Sequence, residues 1–586
     1  MSRNDKRRPR AGAPADDDAK VDDFFYEGDP DTETEPGAED SSDGETVEDF
    51  HREPRRHPED DPAHPGHDPA AAARRRRKGA AARWARAAAL AGAAALLAYA
   101  AGSGQVGTVD LAGALGKEAG ADVAPAQAAA VAVVTGSTVV CPGPGQVGLA
   151  DPTIPEPQQR VSISAGSAPV EVLPDVVDPS GAGEGTIAAT PQGPTMPIGQ
   201  RGTSRDLEID GATWGRGTAQ GALAAGFAAS QLAVDLEEQQ RGLSTTACLP
   251  PRDDTWLVAG GAEAGRVERL ILVNPTGNPV TANVEVLGAA GPVEVVGGRG
   301  IVVAPAGREV VLLDALAPGE QRPVVHITTA GGPVMAALAD RWLEGTLDRG
   351  LELTTATSAP ATTLLIPAVQ APRPESADSV SIRVAVPGDE QAIVQLRALT
   401  ATGPQRVTND VTNVDAGAVA DIDVSDLPEG THAIEVVADT PVVAAAHVER
   451  RSDETSVADL AWLPAATPST ALLGAPLPLV GDSDAAGDAA LGRQLSLASI
   501  DGAGAEVATV SDGKVATQQV DVPAAGAVTI DLEPDTDSVW VHIITGSASA
   551  AVATTLEDGQ GVLVAGMPLP EAPVTRQVRS VTPWQP

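Results

Sequence analysis

The segment Ala420–Arg450, "ADIDVSDLPEGTHAIEVVADTPVVAAAHVER", sets the reading of the fold. It opens on an alternating strand and turns through an acidic Pro/Gly step. A second alternating strand, "AIEVVA", follows, then a tight turn and a strand of small residues. Leu312–Arg341, "LLDALAPGEQRPVVHITTAGGPVMAALADR", and Thr529–Asp558, "TIDLEPDTDSVWVHIITGSASAAVATTLED", repeat that order. The anchor "PVMAA" at Pro333 recurs as "PVVAA" at Pro441, 108 residues later. A fixed period of this length marks a repeat architecture.

A second run of matches lies upstream of each copy. These are "RLILVNPTGNPVTANVEVLGAAG" from Arg269, "SVSIRVAVPGDEQAIVQLRALTATG" from Ser379 and "LSLASIDGAGAEVATVSDGK" from Leu495. Each unit then holds about seven short strands in roughly 105–112 residues, the size and strand count of an immunoglobulin-like sandwich. A period of two places Ile434 and Val436 in the core and Glu435 on the solvent face. His326 and His542 occupy the slot of Glu435 in their copies. The turn "LPEGTHAIEVVA" resembles the E–F corner of fibronectin type III domains without the corner tyrosine.

The expected fold is therefore all-β. Tandem immunoglobulin/fibronectin-III-like β-sandwich domains follow a disordered N-terminal tail and one transmembrane helix. Residues 251–365, 366–463 and 490–580 are the three repeats, and 464–489 is a Pro-rich linker. Residues 136–250 form a divergent β-region without a clean repeat match. Within it, the Ala-rich residues 220–240 fit either a helix or a pair of strands, with strand the preferred reading.

The N-terminal 135 residues differ in composition. Residues 1–73 carry 22 acidic and 9 basic side chains with almost no aliphatics, so 1–83 reads as a disordered acidic tail ending in a basic cluster. Arg74–Arg77, Lys78, Arg83 and Arg86 adjoin "AAALAGAAALLAYAA" at 87–101. Extended to Trp84–Ser103, that run reaches ~30 Å as a helix, enough to cross a hydrocarbon core. The positive flank places the N-terminus in the cytoplasm. Ala98-Tyr99-Ala100 leaves a cleaved signal peptide as the alternative. Residues 104–135 read as a stalk. The expected location is the cell membrane, single-pass, with the C-terminal region extracytoplasmic.

Cys141 in "STVVCPGPG" and Cys248 in "TTACLPPRD" each end a β-type run before a Pro-containing turn. As the only two cysteines, in an oxidising compartment, they are expected to pair.

Catalytic, cofactor and metal sites are assigned no residues. His326, His432, His447 and His542 are scattered, and no metalloprotease, nucleophile-elbow or phosphate-loop motif occurs. The aspartates of "GDSDAAGD" (Asp482, Asp484, Asp488) and "DLEPDTD" (Asp531, Asp535, Asp537) lack EF-hand spacing. A formal net charge of -40 argues against nucleic-acid partners. The expectation is a non-enzymatic, membrane-anchored scaffold or binding protein of the cell envelope. Its partners would be envelope proteins or glycans, with lipid met through the anchor. The alternatives are a glycan- or peptide-acting enzyme and a transmembrane signalling protein that uses its tail.

The single span, the Cys-bearing β-region, "TWLVAGG" at 255–261 and "LILVNPTGNPV" from Leu270 together resemble an uncharacterised actinobacterial family of membrane-anchored extracytoplasmic proteins. The resemblance covers most of residues 84–580. It implies envelope biology and carries no activity.

Overall fold

A computed structural model describes residues 130–578, apart from 151–152, 154–155, 453–454 and 480–489. The acidic tail, the basic cluster, the apolar segment Trp84–Ser103 and the Asp482/Asp484/Asp488 cluster lie outside the described residues. So do all but the last six residues of the expected stalk. Among the described residues no helix is long and apolar enough to cross a membrane. The described residues are all-β, and among them the helical segments are two single turns, Val170–Val172 and Leu313–Leu316.

The divergent region is itself a sandwich of the repeat. Its eight strands are Gly136–Cys141, Arg160–Ser167, Gly183–Thr190, Thr195–Ile198, Ser204–Asp210, Trp214–Gly221, Phe227–Asp235 and Gly242–Cys248. Numbered one to eight, they form antiparallel sheets of order 1-6-3-4 and 5-2-7-8. The sandwiches at 254–354, 361–464 and 472–568 have the same two orders. In the second, Ile301–Val303 is an additional short strand beside the third. In the third, the sixth and seventh strands are one continuous strand, Thr431–Arg451, that passes from the first sheet into the second. Four copies are thus present where three were expected.

The order corrects the immunoglobulin analogy. An immunoglobulin constant domain has sheets ABED and CFG. The second–fifth and third–sixth pairings are kept here. The first strand pairs with the sixth rather than the second, and the seventh with the second rather than the sixth. The fourth strand pairs with the third rather than the fifth, so three strands have changed sheets, and an eighth extends the second sheet. The boundaries shift accordingly. Ala361–Gln370 opens the third sandwich across the expected 365/366 boundary, and Leu472–Pro476 opens the fourth inside the segment expected as linker.

The outer faces of these sheets are covered, which explains the small-residue strands. In Arg266–Val273, Leu270 and Leu272 enter the core of the second sandwich, while Ile271 and Val273 point outward and are equally buried. They meet Val140 and Trp214 on the first sheet of sandwich one. The same contact recurs at each step. Val258 and Val324 of sandwich two join Ala385, Val443 and Ala445 of sandwich three. Leu365, Leu399 and Ala433 of sandwich three meet Ala498 and Ala527 of sandwich four. Leu472, Val510 and Trp540 of sandwich four meet Ala168 and Ala228 of sandwich one. In every case the first sheet of one copy lies on the second sheet of the next, and the fourth copy lies on the first. Eight sheets stack in a closed ring. A strand buried on both faces reads as an unbroken apolar run rather than an alternation. "PVMAA" and "PVVAA" are such runs, kept small because two sheets approach them.

Two further devices hold the ring. Ala130–Val133 pairs antiparallel with Thr575–Val578, so the chain enters and leaves through one two-stranded ladder. Arg308 of sandwich two donates to the carbonyls of Pro142 (3.0 Å), Val147 (2.7 Å) and Pro144 (2.5 Å) in sandwich one. Glycine is required at Gly265, where φ is +82° and a Cβ would sit on the carbonyl of Leu343.

Strand phase follows the expectation while its environment does not. Ile434 and Val436 are core residues. Glu435 points the other way, yet it is buried and ion-paired to Arg397 at 2.6 Å. His326 is half-buried, stacked on Trp256 with centroids 4.0 Å apart. The outer face expected to meet solvent meets a neighbouring sandwich or a partner side chain instead.

Candidate functional site

The eighth strand of each sandwich ends its sheet, and these four strands are Gly242–Cys248, Leu347–Thr354, Ala458–Pro464 and Val562–Pro568. Each packs against its two neighbours around the ring, the fourth against the first. They form the inner wall. An edge strand carries backbone donors and acceptors with no ladder partner, and in a buried place those groups need others.

Carboxylates supply part of that need. Glu352 accepts the amide of Trp462 on the next inner strand at 3.3 Å. Its other oxygen accepts the hydroxyl of Ser244, on the preceding inner strand, at 2.5 Å and the amide of Leu353 at 2.7 Å. Asp459 accepts the amide of Val564 on the fourth inner strand at 2.8 Å. Three strand-to-strand steps are therefore bridged by two acids. Burial pushes the Glu352 carboxyl up to about 8, with the charge of Asp340 adding to the rise. Burial raises Asp459 well above the carboxylate range, and the charge of Glu352 adds to it. At neutral pH Glu352 is therefore mostly protonated.

A charged cluster lies beside them between sandwiches two and three. Asp340 is fully buried, and Arg266 donates to both its oxygens at 2.8 and 2.5 Å. The Trp462 indole donates to it at 2.8 Å. Burial would raise Asp340, but the Arg266 charge and hydrogen bonds outweigh it and hold the carboxyl below its ordinary range. Glu268, 3.7 Å from Arg266, is pushed up to about 7 by burial and by Asp340. His447 stacks on Trp462, centroids 4.5 Å apart. Burial and the nearby Arg266 charge push its imidazole down to about 3, so it stays neutral. Arg383 lies over the other part of this assembly, 4.7 Å from the Trp462 ring. It donates to both oxygens of Asp421 and to the carbonyl of Gly260. Each charge here has a structural partner, so the cluster joins two sandwiches.

Adjoining the inner strands is a cavity of about 390 Å³. All four sandwiches line it, through residues such as Thr246, Leu353, Pro464 and Ala550. Its wall mixes hydroxyls with Ala, Leu and Pro side chains. Only Arg252 and Glu571 bring charge to it, and Glu571 accepts the Ser469 hydroxyl at 2.5 Å. The hydroxyls of Thr245, Ser358 and Ser549, from three different stretches of the wall, have no hydrogen-bond partner. Glu352 and Asp459 do not line it.

The residues singled out in the sequence fall elsewhere. Cys141 and Cys248 form a disulfide with Cα atoms 4.4 Å apart. It links the first strand of one sheet to the eighth of the other, inside the core of sandwich one. His432 bonds the Pro428 carbonyl through Nε2 at 2.7 Å. Asp531 accepts the Gln494 amide, and Asp537 accepts the backbone N–H of Asp512. No group of three potential metal ligands converges among the described residues. Glu352, Asp459, Asp340 and the free hydroxyls carried no signal in the sequence, because they belong to different sandwiches and meet only when the ring closes.

No curated protein matches the chain. Among solved structures, it is similar to a tetra-tandem repeat in the extending region of a large adhesion protein. The identity is 13%, over 70% of this chain and 98% of that one, with a TM-score of 0.08. So low a TM-score carries no structural argument. The family model for DUF5719, a family of unknown function, matches residues 203–533, from within sandwich one to within sandwich four, and the chain belongs to that family.

Proposed function

We propose that this protein is a non-enzymatic binding and scaffold module, held at the outer face of a cell membrane by the segment Trp84–Ser103. The observation that carries the reading is the ring itself. Four sandwiches converge their inner strands on one cavity, and the buried acids and bases near it are committed to joining those strands. A catalytic carboxylate must reach a substrate. Glu352 and Asp459 are fully buried and bound to backbone amides instead. Both ends of the ring meet in the ladder of Ala130–Val133 and Thr575–Val578, so an N-terminal tether would present the whole ring from one point. The partners on this reading are envelope glycans or proteins.

Labelling of intact cells tests the placement. The native cysteines are paired, so an introduced cysteine is the one free thiol. Asp110→Cys is expected to react with an impermeant thiol reagent, and Ser41→Cys is expected not to. The reverse pattern removes the outer-face reading. A mature chain beginning at Ala101 would replace the tether by a cleaved signal.

A further inference from the structure

We infer that the fourth strand of sandwich four, Lys514–Val522, is a docking edge for the same strand of a second copy, the two pairing antiparallel about a two-fold axis at Gln518. Each first sheet ends on its fourth strand, and such an edge carries backbone groups with no ladder partner. Three of the four edges are blunted. In sandwich one the strand is Thr195–Ile198, four residues with Pro197 among them. In sandwich two it is Gly291–Val293, three residues with Pro292 at the centre, and the additional strand Ile301–Val303 is as short. In sandwich three Gly403–Val414 is long, but its register shifts between Gln395 and Arg397 of its neighbour, and a bulge of this kind breaks a flat edge. Lys514–Val522 has nine residues, no proline and no register shift against Ala503–Ser511. A long, regular edge of this kind is a template for another strand. Its only charges are Lys514 near one end and Asp521 near the other.

The turn before the strand assigns its free groups. Asp512 and Gly513, at φ +51° and +71°, make a two-residue turn that closes on the pair Ser511 and Lys514. That pair exchanges both its hydrogen bonds, and bonding alternates from there. Lys514, Ala516 and Gln518 therefore bond back to the third strand. Val515, Thr517, Gln519 and Asp521 turn their N–H and C=O groups outward, and among the described residues no other backbone group bonds them. Lys514, Ala516–Gln519 and Asp521 are exposed. Antiparallel pairing centred on Gln518 sets Val515 opposite the partner's Asp521 and Thr517 opposite the partner's Gln519. All four outward residues of each strand then pair, through about eight backbone hydrogen bonds. The same register lays the Lys514 end of each strand beside the partner's Asp521, opposite charges that a parallel pairing would hold apart. Gln518 meets its own copy, and an amide both donates and accepts. The edge is thus complementary to itself, which favours a second copy over an unrelated strand. The net charge of -40 opposes the approach of two copies, but that repulsion is screened beyond ~8 Å at physiological ionic strength.

Sedimentation of the full chain in detergent micelles tests the assignment. A dimer is expected, tighter at about 150 mM salt than at about 20 mM. Thr517→Pro removes an outward amide that has no partner in the single chain, so the melting temperature should hold while dimer affinity falls at least ~tenfold. Ala516→Pro removes an amide bonded within the sheet and should lower the melting temperature instead. The native cysteines are paired, so Gln518→Cys supplies one free thiol. At a central pair without hydrogen bonds the two Cα atoms lie ~4.5 Å apart, within disulfide reach. Mild oxidation should link two chains there. Lys514→Cys thiols would lie ~27 Å apart along the paired strands and should not link. A monomer at every salt and protein concentration overturns the docking edge. A dimer that Thr517→Pro leaves intact places the contact on another surface and overturns it too. A larger melting loss in Thr517→Pro than in Ala516→Pro overturns the assignment of the outward groups. Linking at Lys514→Cys in place of Gln518→Cys overturns the two-fold register.

Discussion

Asp459, on the inner strand of the third sandwich, accepts the backbone N–H of Val564 on the inner strand of the fourth at 2.8 Å. Glu352 makes the equivalent bridge from the second sandwich to Trp462 on the third. The ring is thus fastened by acids held in the dry, with their pKa values raised. For a group whose folded pKa exceeds its unfolded value, the stabilising effect is full below the unfolded pKa. It is lost as pH rises through the folded pKa. For Glu352 that window runs from the ordinary 4.5 to about 8. Its loss across the window is on the order of a few kcal/mol. Chemical denaturation at pH 5 and pH 8.5 should show lower stability at the higher pH. Glu352→Gln should flatten the difference, and an unchanged pH profile in that variant would remove Glu352 as its source.

His447 acts in the opposite direction at lower pH. Its folded pKa of about 3 lies below the usual 6.5, so the folded ring binds the proton less well than the unfolded chain. Stability from this residue is present above pH 6.5 and falls as pH drops toward 3. Below pH 5 the His447→Phe variant should therefore lose less stability than the parent relative to pH 7. The stack on Trp462 can survive that change because an aromatic ring is retained. A variant whose acid limb matches the parent would show that another group sets it.

Much of the architecture was legible, and the missing part has one cause. Alternation in "AIEVVA" correctly sent Ile434 inward and Glu435 outward. It could not say that outward means against Arg397 rather than water, because that depends on the strand laid alongside. The Ala residues of "PVVAAAH" read as a weak strand when only one face is considered. They are explained once both faces are buried, Ala444 and Ala446 inward and Val443 and Ala445 toward the second sandwich. The first copy escaped notice because its seventh strand, "FAASQLAVD", lacks the Pro-Val anchor. Its Ala-rich pattern was the available signal. The cavity and the bridging acids were illegible for the same reason. They are made by residues about a hundred positions apart, in a chain where acids are everywhere.

Ring closure predicts cooperativity that a string of independent beads would lack. An isolated third sandwich, residues 361–466, would expose Ala385, Val443 and Ala445 on one face and Leu365, Leu399 and Ala433 on the other. It is expected to aggregate or to melt well below the full chain, since exposed apolar faces of this kind seek partners. The full chain should unfold in one main transition. A soluble, cooperatively folding fragment of equal melting temperature would show that the sandwiches are independent.

Trp540 closes the ring between sandwiches four and one. Its side chain is 1% exposed, and its indole donates to Ser538 Oγ at 3.0 Å. Gly474, at φ +158°, lies against its ring, so a Cβ there would be 2.5 Å from an indole carbon. Trp540→Ala should cost about 3–5 kcal/mol, as for other large buried aromatics. It should also loosen the ladder of Ala130–Val133 and Thr575–Val578, because Val133 and Val574 pack in the same apolar cluster as Trp540. Amide hydrogen exchange is the measurement. Protection should fall in those two strands and in Phe227–Asp235, while Ala458–Pro464, across the ring, keeps its own. Uniform loss across all four sandwiches would mean that the ring has no local seam.

The disulfide provides the last test. Cys141 and Cys248 are 0% and 1% exposed, so a reductant reaches them only when sandwich one opens. The bridge closes a loop of 107 residues, for which chain-entropy arguments give about 4–5 kcal/mol of stabilisation. Gly215, on the neighbouring sixth strand, leaves the sulfur its room, since a Cβ there would be 3.3 Å from Cys141 Sγ. Non-reducing mass spectrometry should find one intramolecular Cys141–Cys248 cross-link. Alkylation under native reducing conditions should be slow and should accelerate in Trp540→Ala, whose lesion opens sandwich one from its far face. The double variant Cys141→Ala/Cys248→Ala should melt lower while keeping the sheet pairing seen by exchange. Rapid alkylation of both thiols in the intact ring would show that the bridge is not formed in the native protein.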